Sequence, residues 1–420
     1  MTRAVKARFT GVSTPSFSPS PTTAPLRAPI SVLCPLSTSC SIFFAVYLKS
    51  LGLPLWQIGL VLTGGLTVST LFNLVAGFLA DRVGRRRMLV FFGLLSAAAG
   101  SVYFVSAYPP LLVAVAVVSS IGYRGGFGAA QMLERVILAQ SCADDRRTRL
   151  YAIRSTGGSV ATAVGSLFTG FVVILQGWGF TEPASYRLMF GVYALLNVAV
   201  VFLYSLLGEE AEIEVEHEEQ TPLSPETKRY VVLLSVLFSM DALGGSFTTH
   251  SLVAYWFFER FGLGMDVIGA IFSASSLLAA ASYMLAARIS ERIGLINTMV
   301  YSHLPANIMM ALVPYMPNLP TSLSLYLGRS LLSQMDVPTR QSYTMAIVKP
   351  EERSRVQGLI NLPRSFTMAV GPSIAGYIMQ FVGFSLPFLL AGAIKGLYDV
   401  LLWVTFRNVK PPEERAVASG

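Results

Sequence analysis

Ionisable residues interrupt the long apolar stretches of this sequence, and three of them fall on one helical face. Asp336 follows Arg329 by seven residues and precedes Arg340 by four, so at 3.6 residues per turn the three side chains share a face. Asp336 and Arg340 can form an ion pair along the helix, and Pro338 should kink it. A charge at mid-membrane depth is costly unless it faces a partner or a polar cavity. We therefore predict a mobile, cavity-facing element in which Arg329, Asp336 and Arg340 bind a small solute.

An earlier apolar stretch carries a similar arrangement around Arg124, which lies far from both ends of the stretch. Gly125-Gly126-Phe127-Gly128 follow it and keep the local backbone accessible. We interpret Arg124 as a cation in a polar cavity, and a buried ion pair is the alternative. The further residues predicted to contact a bound solute here are Tyr123, Phe127 and Gln131.

Acidic and imidazole groups inside other apolar stretches are candidates for coupling to a proton or a cation. Asp241 is the best isolated acid and is followed by Gly244-Gly245. Lys395 and Asp399 are spaced i, i+4, which favours a mutually neutralising pair. His250 and His303 could titrate near neutral pH, although a hydrogen-bonded packing role is the simpler interpretation. The coupling candidates are Asp241, His250, Lys395 and Asp399.

The elements that must hold these residues are long apolar helices. The 420 residues are 53% hydrophobic and only 13% charged, about half the charge of a soluble domain, which excludes a soluble globular protein. Apolar runs of about twenty residues match the thickness of a bilayer. Twelve spans are predicted, at 30–48, 55–80, 88–108, 110–140, 150–176, 187–207, 230–258, 267–289, 295–316, 321–347, 356–382 and 385–406.

The two halves of the chain resemble each other. Asp81-Arg82-Val83-Gly84 reappears 210 residues later as Glu291-Arg292-Ile293-Gly294, and Arg124 and Arg135 match Arg329 and Arg340 at an offset of 205. Parallel repeats of six helices are an architecture of secondary transporters. The predicted fold class is an all-α polytopic membrane protein with two pseudo-symmetric six-helix bundles.

A motif lies between the second and third spans. Gly77-Phe78-Leu79-Ala80-Asp81-Arg82-Val83-Gly84-Arg85-Arg86-Arg87 fits the pattern G-x-x-x-D-R-x-G-R-R, which resembles the signature loop of the major facilitator superfamily. The resemblance extends over nearly the whole chain and implies a loop that latches the two halves together in one conformation. The alternative is a simple basic anchor at the membrane surface. In the second copy Ala287 replaces the first glycine, which implies a weaker latch.

The resemblance implies a set of gating residues. They are Gly77, Asp81, Arg82, Gly84, Arg85 and Arg86 in the first copy, Glu291, Arg292 and Gly294 in the second, and Glu134 and Arg135, which are predicted to snorkel or to pair with the loop.

Lys and Arg are concentrated in one set of loops and are scarce in the other, which predicts that both termini lie in the cytoplasm. We expect an integral protein of the plasma membrane with five regions. They are a basic Ser/Thr/Pro-rich tail (1–29, with an organellar transit peptide as the alternative), a first bundle (30–208), an acidic cytoplasmic linker (209–229), a second bundle (230–407) and a cytoplasmic tail (408–420).

The predicted function is secondary active transport of a small solute by alternating access, coupled to an ion, most simply a proton. The excess of basic over acidic residues inside the spans favours an organic anion or zwitterion as the substrate. The alternatives are a proton-coupled exporter of hydrophobic drugs and a non-transporting receptor or scaffold on the same fold. We expect no enzymatic activity, because no nucleophile–His–acid arrangement is present. We also expect no cofactor, no metal site and no nucleic acid, and a monomer in contact with the lipid bilayer.

Overall fold

The computed structural model describes residues 36–122, 130, 133, 144–207, 223–349 and 352–409. Fifteen α-helices form in these ranges. In chain order they are α1 Leu36–Ser50, α2 Leu55–Val83, α3 Arg85–Val105, α4 Pro109–Ser119, α5 Asp144–Phe168, α6 Phe171–Gly177, α7 Glu182–Ser205, α8 Pro225–Ser246, α9 His250–Phe261, α10 Met265–Ile293, α11 Leu295–Leu312, α12 Leu319–Leu332, α13 Asp336–Ala346, α14 Arg353–Phe381 and α15 Leu386–Phe406.

Within the described residues these fifteen helices correspond to the twelve predicted spans. Three of the spans contain two helices each: α5 and α6, α8 and α9, and α12 and α13. In the same part of the chain, seven stretches are long and apolar enough to cross a membrane by themselves. The all-α fold class is confirmed. The predicted tails and most of the acidic linker lie outside the described residues.

The repeat detected in the sequence is reproduced in the backbone. Helices α2 and α10 are both 29 residues long, and their bounds differ by the same 210 residues at each end. Each helix ends at a glycine with positive φ, +98° at Gly84 and +83° at Gly294, a conformation that favours glycine. The next helix starts at the following residue, so each glycine forms the whole turn. We call the end of the molecule that carries these two turns the signature end, and the opposite end the far end.

Two predicted single helices are broken. The span predicted at 110–140 is interrupted at Ser120, which adopts φ +54° and ends α4, and its hydroxyl donates a hydrogen bond to the carbonyl oxygen of Gly65. The span predicted at 230–258 breaks after Ser246. There the glycines at 244 and 245 weaken the helix, and Thr249 caps the new helix α9 by accepting from the N–H of Leu252.

The kink predicted in the span at 321–347 is present as a break between α12 and α13. Leu332 ends the first helix and Asp336 begins the second. Pro338 lies in the first turn of α13, where its missing N–H is tolerated. It cannot donate to the carbonyl of residue 334, so the helix is interrupted one turn before the proline.

Helix α1 lies at the centre of the far end. Every residue from Ser39 to Leu48 is at most 2% exposed, because α5, α7 and α9 surround the helix. Helix α9 comes from the second half of the chain, and its Ser251 hydroxyl donates to the carbonyl oxygens of Ser41 and, at 2.8 Å, Gly122. The two halves are therefore in direct contact around α1.

The most extensive contact between the halves in the described residues joins α2 to α14. The N–H of Leu55 donates to Oε1 of Gln380 at 3.0 Å, and the N–H of Ser373 donates to Oγ1 of Thr63 at 3.0 Å. All four residues lie in the far-end parts of their helices. Helix α14 is mostly exposed from 357 to 367 and mostly buried from 369 to 379. The halves therefore meet at the far end and diverge toward the signature end.

Candidate functional site

Four helices of the second half meet around a group of buried polar side chains. Helix α8 contributes Asp241, α11 contributes His303 and Asn307, α13 contributes Asp336 and Arg340, and α15 contributes Lys395 and Asp399. We call these seven residues the ionic cluster. No two of the four helices are consecutive in the sequence, so only the folded bundle assembles the cluster.

Asp241 is the centre of the ionic cluster. Its Oδ1 accepts a hydrogen bond from Nζ of Lys395 at 2.6 Å, and its Oδ2 accepts one from a terminal nitrogen of Arg340 at 2.9 Å. The same nitrogen of Arg340 lies 3.3 Å from Oδ2 of Asp336. Arg340 also has its guanidinium carbon 5.2 Å from the centroid of the Phe238 ring. Arg340 therefore joins α13 to α8 through charge and through an aromatic face.

His303 connects a second acid to this centre. Its Nδ1 lies 2.8 Å from Oδ1 of Asp399, and its Nε2 lies 3.8 Å from Oδ1 of Asp241. Asn307 donates through Nδ2 to the other oxygen of Asp399 at 2.8 Å. The imidazole thus lies between two carboxylates, and each oxygen of Asp399 has a partner.

The cations of the cluster are more accessible than its acids. The side chains of Arg340 and Lys395 are 12% and 16% exposed, against 5–6% for Asp336 and Asp241 and 1% for Asp399. The permanent positive charges therefore lie toward the accessible surface, and the carboxylates lie behind them.

Several predictions about pairing can be compared with this geometry. The Asp336–Arg340 ion pair predicted from spacing is present. The prediction of a Lys395–Asp399 ion pair is wrong, because within the described residues Lys395 binds Asp241 of another helix and Asp399 binds His303. Asn307 was missed altogether, since a single amide inside an apolar helix gives no pattern in the sequence.

The other candidates are placed as follows. Arg329 lies in the last turn of α12. His250 is the first residue of α9, where it is exposed and packs edge-on against Phe272 with 5.2 Å between ring centroids. Among the gating candidates, Arg85 is buried. The guanidinium of Arg86 donates a hydrogen bond to the carbonyl oxygen of Ser205. The side chains of Arg82, Glu291 and Arg292 are exposed. Gly77 is also exposed, near the end of α2. Tyr123, Arg124, Phe127, Gln131, Glu134, Arg135 and the side chain of Asp81 lie outside the described residues.

The described ranges contain no group of three or more His, Cys, Asp and Glu side chains that could hold a metal ion.

Glu352 forms a clamp at the signature end that the sequence did not predict. Its Oε2 accepts from the hydroxyl of Thr227 at 2.6 Å, and its Oε1 accepts from the N–H of Ser224 at 2.6 Å. Ser224 is the N-cap of α8, and its side chain accepts a hydrogen bond from the N–H of Thr227. The hydrogen bonds from Thr227 and from Ser224 hold the pKa of Glu352 below its ordinary value of 4.5. The clamp therefore fixes the start of α8 to the turn before α14.

Replacing Glu352 by glutamine should lower the melting temperature by about 2–4 °C, because the amide offers only one acceptor oxygen for two donors. A carboxyl whose folded pKa is lowered contributes stability above its unfolded pKa, and this is lost as pH falls through the folded value. The difference between wild type and E352Q should therefore shrink below about pH 4.5. Thermal unfolding in detergent from pH 3.5 to 8 measures this. The exposed Glu226 provides the control E226Q, and an equal effect in both variants would contradict the clamp.

The fold and this site define a class of protein: an all-helical membrane protein with two related halves that meet at one end, and with a buried ionic cluster in the second half. The chain belongs to the Major Facilitator Superfamily, whose family model matches residues 28–335 and 330–420.

Similar proteins agree with this assignment. The uncharacterized membrane protein YJR124C of Saccharomyces cerevisiae is 25% identical over 399 residues, which cover 87% of this chain and 89% of that protein. Among solved structures, the D-xylose-proton symporter superposes with a TM-score of 0.71 at 14% identity, covering 90% of this chain and 96% of its own. A bacterial homolog of the human lysosomal transporter Spinster, captured inward-facing and occupied, gives 0.72 at 15% identity, covering 93% and 98%. The human organic anion transporter MFSD10 gives 0.59 at 16% identity, covering 91% and 100%. At these identities the structures establish the common fold.

Proposed function

We propose that this protein is a secondary active transporter that moves a small anionic or zwitterionic solute by alternating access, coupled to a proton. We place the signature end and both termini in the cytoplasm, because the basic loops lie at that end, and we expect a monomer in the plasma membrane. With this orientation the contacts at the far end close the outer face, and the space between the halves opens inward.

The observation that carries the proton coupling is the contact between His303 and Asp399 inside the ionic cluster, with 2.8 Å between Nδ1 and Oδ1. The cluster contains three aspartates, two permanent cations and one imidazole, and the charge of Arg364 on α14 also acts on Asp241. A buried uncompensated charge is strongly unfavourable, so a proton bound or released by the His303–Asp399 pair changes the charge balance of the whole cluster.

The position of the cluster supports a coupling role. Asp241 lies in the last turns of α8, and Asp336 begins α13 after the break that follows α12. Both breaks, between α8 and α9 and between α12 and α13, are points where a helix can change direction. A proton that changes the charge of the His303–Asp399 pair therefore changes the attraction among four helices close to two hinges.

Proton movement in proteoliposomes tests this proposal. Purified protein is reconstituted with a pH-sensitive dye inside, and monocarboxylates, amino acids, pentoses and nucleosides are added outside in turn. We expect at least one solute to change the internal pH, and H303Q to abolish that change because glutamine cannot be protonated.

The matched control is H250Q, because His250 is an exposed residue at the start of α9, where its ring packs against Phe272. It should retain solute-driven proton movement. Solute uptake by the wild type that is indifferent to a pH gradient, or proton movement that persists in H303Q, would contradict coupling through this cluster.

A further inference from the structure

Arg329 differs from the other cations of the second half that are described above. Among the described residues, no carboxylate lies within ion-pair distance of its guanidinium, whereas Arg340 contacts two carboxylates and Lys395 contacts one. Its Nε is buried and has no hydrogen-bond partner in the part of the chain that the structure describes. It lies ten residues after the start of α12, about 15 Å along the helix, which is close to the middle of a bilayer about 30 Å thick.

Aromatic rings connect Arg329 to the space between the halves. The guanidinium carbon lies 5.7 Å from the centroid of the Tyr326 ring, which lies 6.0 Å from the ring of Phe272. Phe272 in turn packs against His250, which is exposed although the next residue, Ser251, is fully buried against the first half. The aromatic group therefore reaches the boundary where the two halves diverge.

We propose that Arg329 binds an oxyanion carried by the transported solute, a carboxylate or a phosphate group. This inference rests on the proposed transport function and names the chemical class of the solute. An arginine stays charged in any protein environment, and the face of a tyrosine compensates that charge only in part. Its planar set of N–H donors matches an oxyanion in a bidentate geometry. The site is thus complete only when an anion is bound.

Stability provides the first test and needs no knowledge of the solute. A buried cation without a counter-charge destabilises the ligand-free protein, so R329Q should raise the melting temperature in detergent. R340Q should lower it, because Asp336 loses its ion pair with Arg340 and Asp241 keeps only Lys395 of its two hydrogen-bonded cations. R260Q is the matched control, because Arg260 also lies over a ring, that of Phe261 at 6.0 Å, but is exposed. A lower melting temperature in R329Q would mean that Arg329 has a structural partner, and would overturn the proposal.

Ligand binding provides the second test, on the full chain in detergent. The probes are sodium succinate and sodium benzoate in one arm and glycerol 3-phosphate in the other, with succinamide, benzamide and glycerol as neutral counterparts. We expect at least one oxyanion to raise the melting temperature of the wild type and of R260Q by about 2–4 °C at saturation, and R329Q to lose this shift. The arm that responds identifies the carboxylate or the phosphate.

Three results would overturn the inference: no shift in either arm, equal shifts with the neutral counterparts, or an unchanged shift in R329Q. None of them bears on proton coupling, because the measurement uses no pH gradient and leaves His303 intact. Conversely, a failure of the proteoliposome experiment with H303Q leaves oxyanion binding at Arg329 to be judged by its own result.

Discussion

Replacing Asp241 by asparagine should destabilise the protein by about 3–5 kcal/mol, because it leaves two buried cations without their shared carboxylate. Lys395 loses the acid at 2.6 Å, and Arg340 loses the nearer of its two acids. An amide is neutral and presents one acceptor oxygen, so it cannot satisfy both. Thermal and chemical unfolding in detergent should both show the loss, and transport should fall to background.

Two further variants decide the cause of that loss. D266N changes an exposed aspartate at the start of α10 and should leave stability unchanged. The double variant D241N/K395M removes one unpaired cation and leaves Arg340 with Asp336 at 3.3 Å, so it should recover part of the lost stability. A double variant that is less stable than D241N alone would show that Lys395 contributes through something other than Asp241.

Replacing Gly376 by valine should prevent the far end from closing. A Cβ at this position would lie 2.5 Å from the carbonyl oxygen of Leu55 and 3.0 Å from Cα of Gly59, so α14 must move away from α2. Overpacking costs about 1–3 kcal/mol, which lowers the population of the closed far end by roughly 5- to 150-fold. Transport should decrease accordingly.

Cysteine accessibility measures this change directly. Leu53 lies just before α2 and is 6% exposed, so a cysteine there, in a background without the native cysteines, should react slowly with a maleimide in the wild type and faster in G376V. The control is G358V on the same helix, where a Cβ would have no neighbour within 4 Å. Equal labelling in G376V and G358V would show that the α2–α14 contact does not control the far end.

The sequence predicted the fold because helical length, the half-repeat and the glycine turns are local or periodic signals. Gly84 and Gly294 form the turns that their motif indicated. The sequence predicted the Asp336–Arg340 pair for the same reason, since four residues along a helix bring two side chains together.

The rest of the site depends on contacts that spacing does not reveal. Lys395 is four residues from Asp399 but binds Asp241, which is 154 residues away, because α15 packs against α8. His303 was recognised as titratable, but its position between two acids follows only from the packing of α11. The break before His250 could have been anticipated from Gly244-Gly245 followed by the capping residue Thr249.

The contact described between the two halves at the far end has a consequence for energetics. It is made from N–H groups, hydroxyls and closely approaching glycines, and the hydroxyl of Ser251 has one hydrogen to share between two carbonyl oxygens. Bonds of this kind are short in range and are not screened by dissolved salt. We therefore expect the contact between the two halves at the far end to be insensitive to ionic strength.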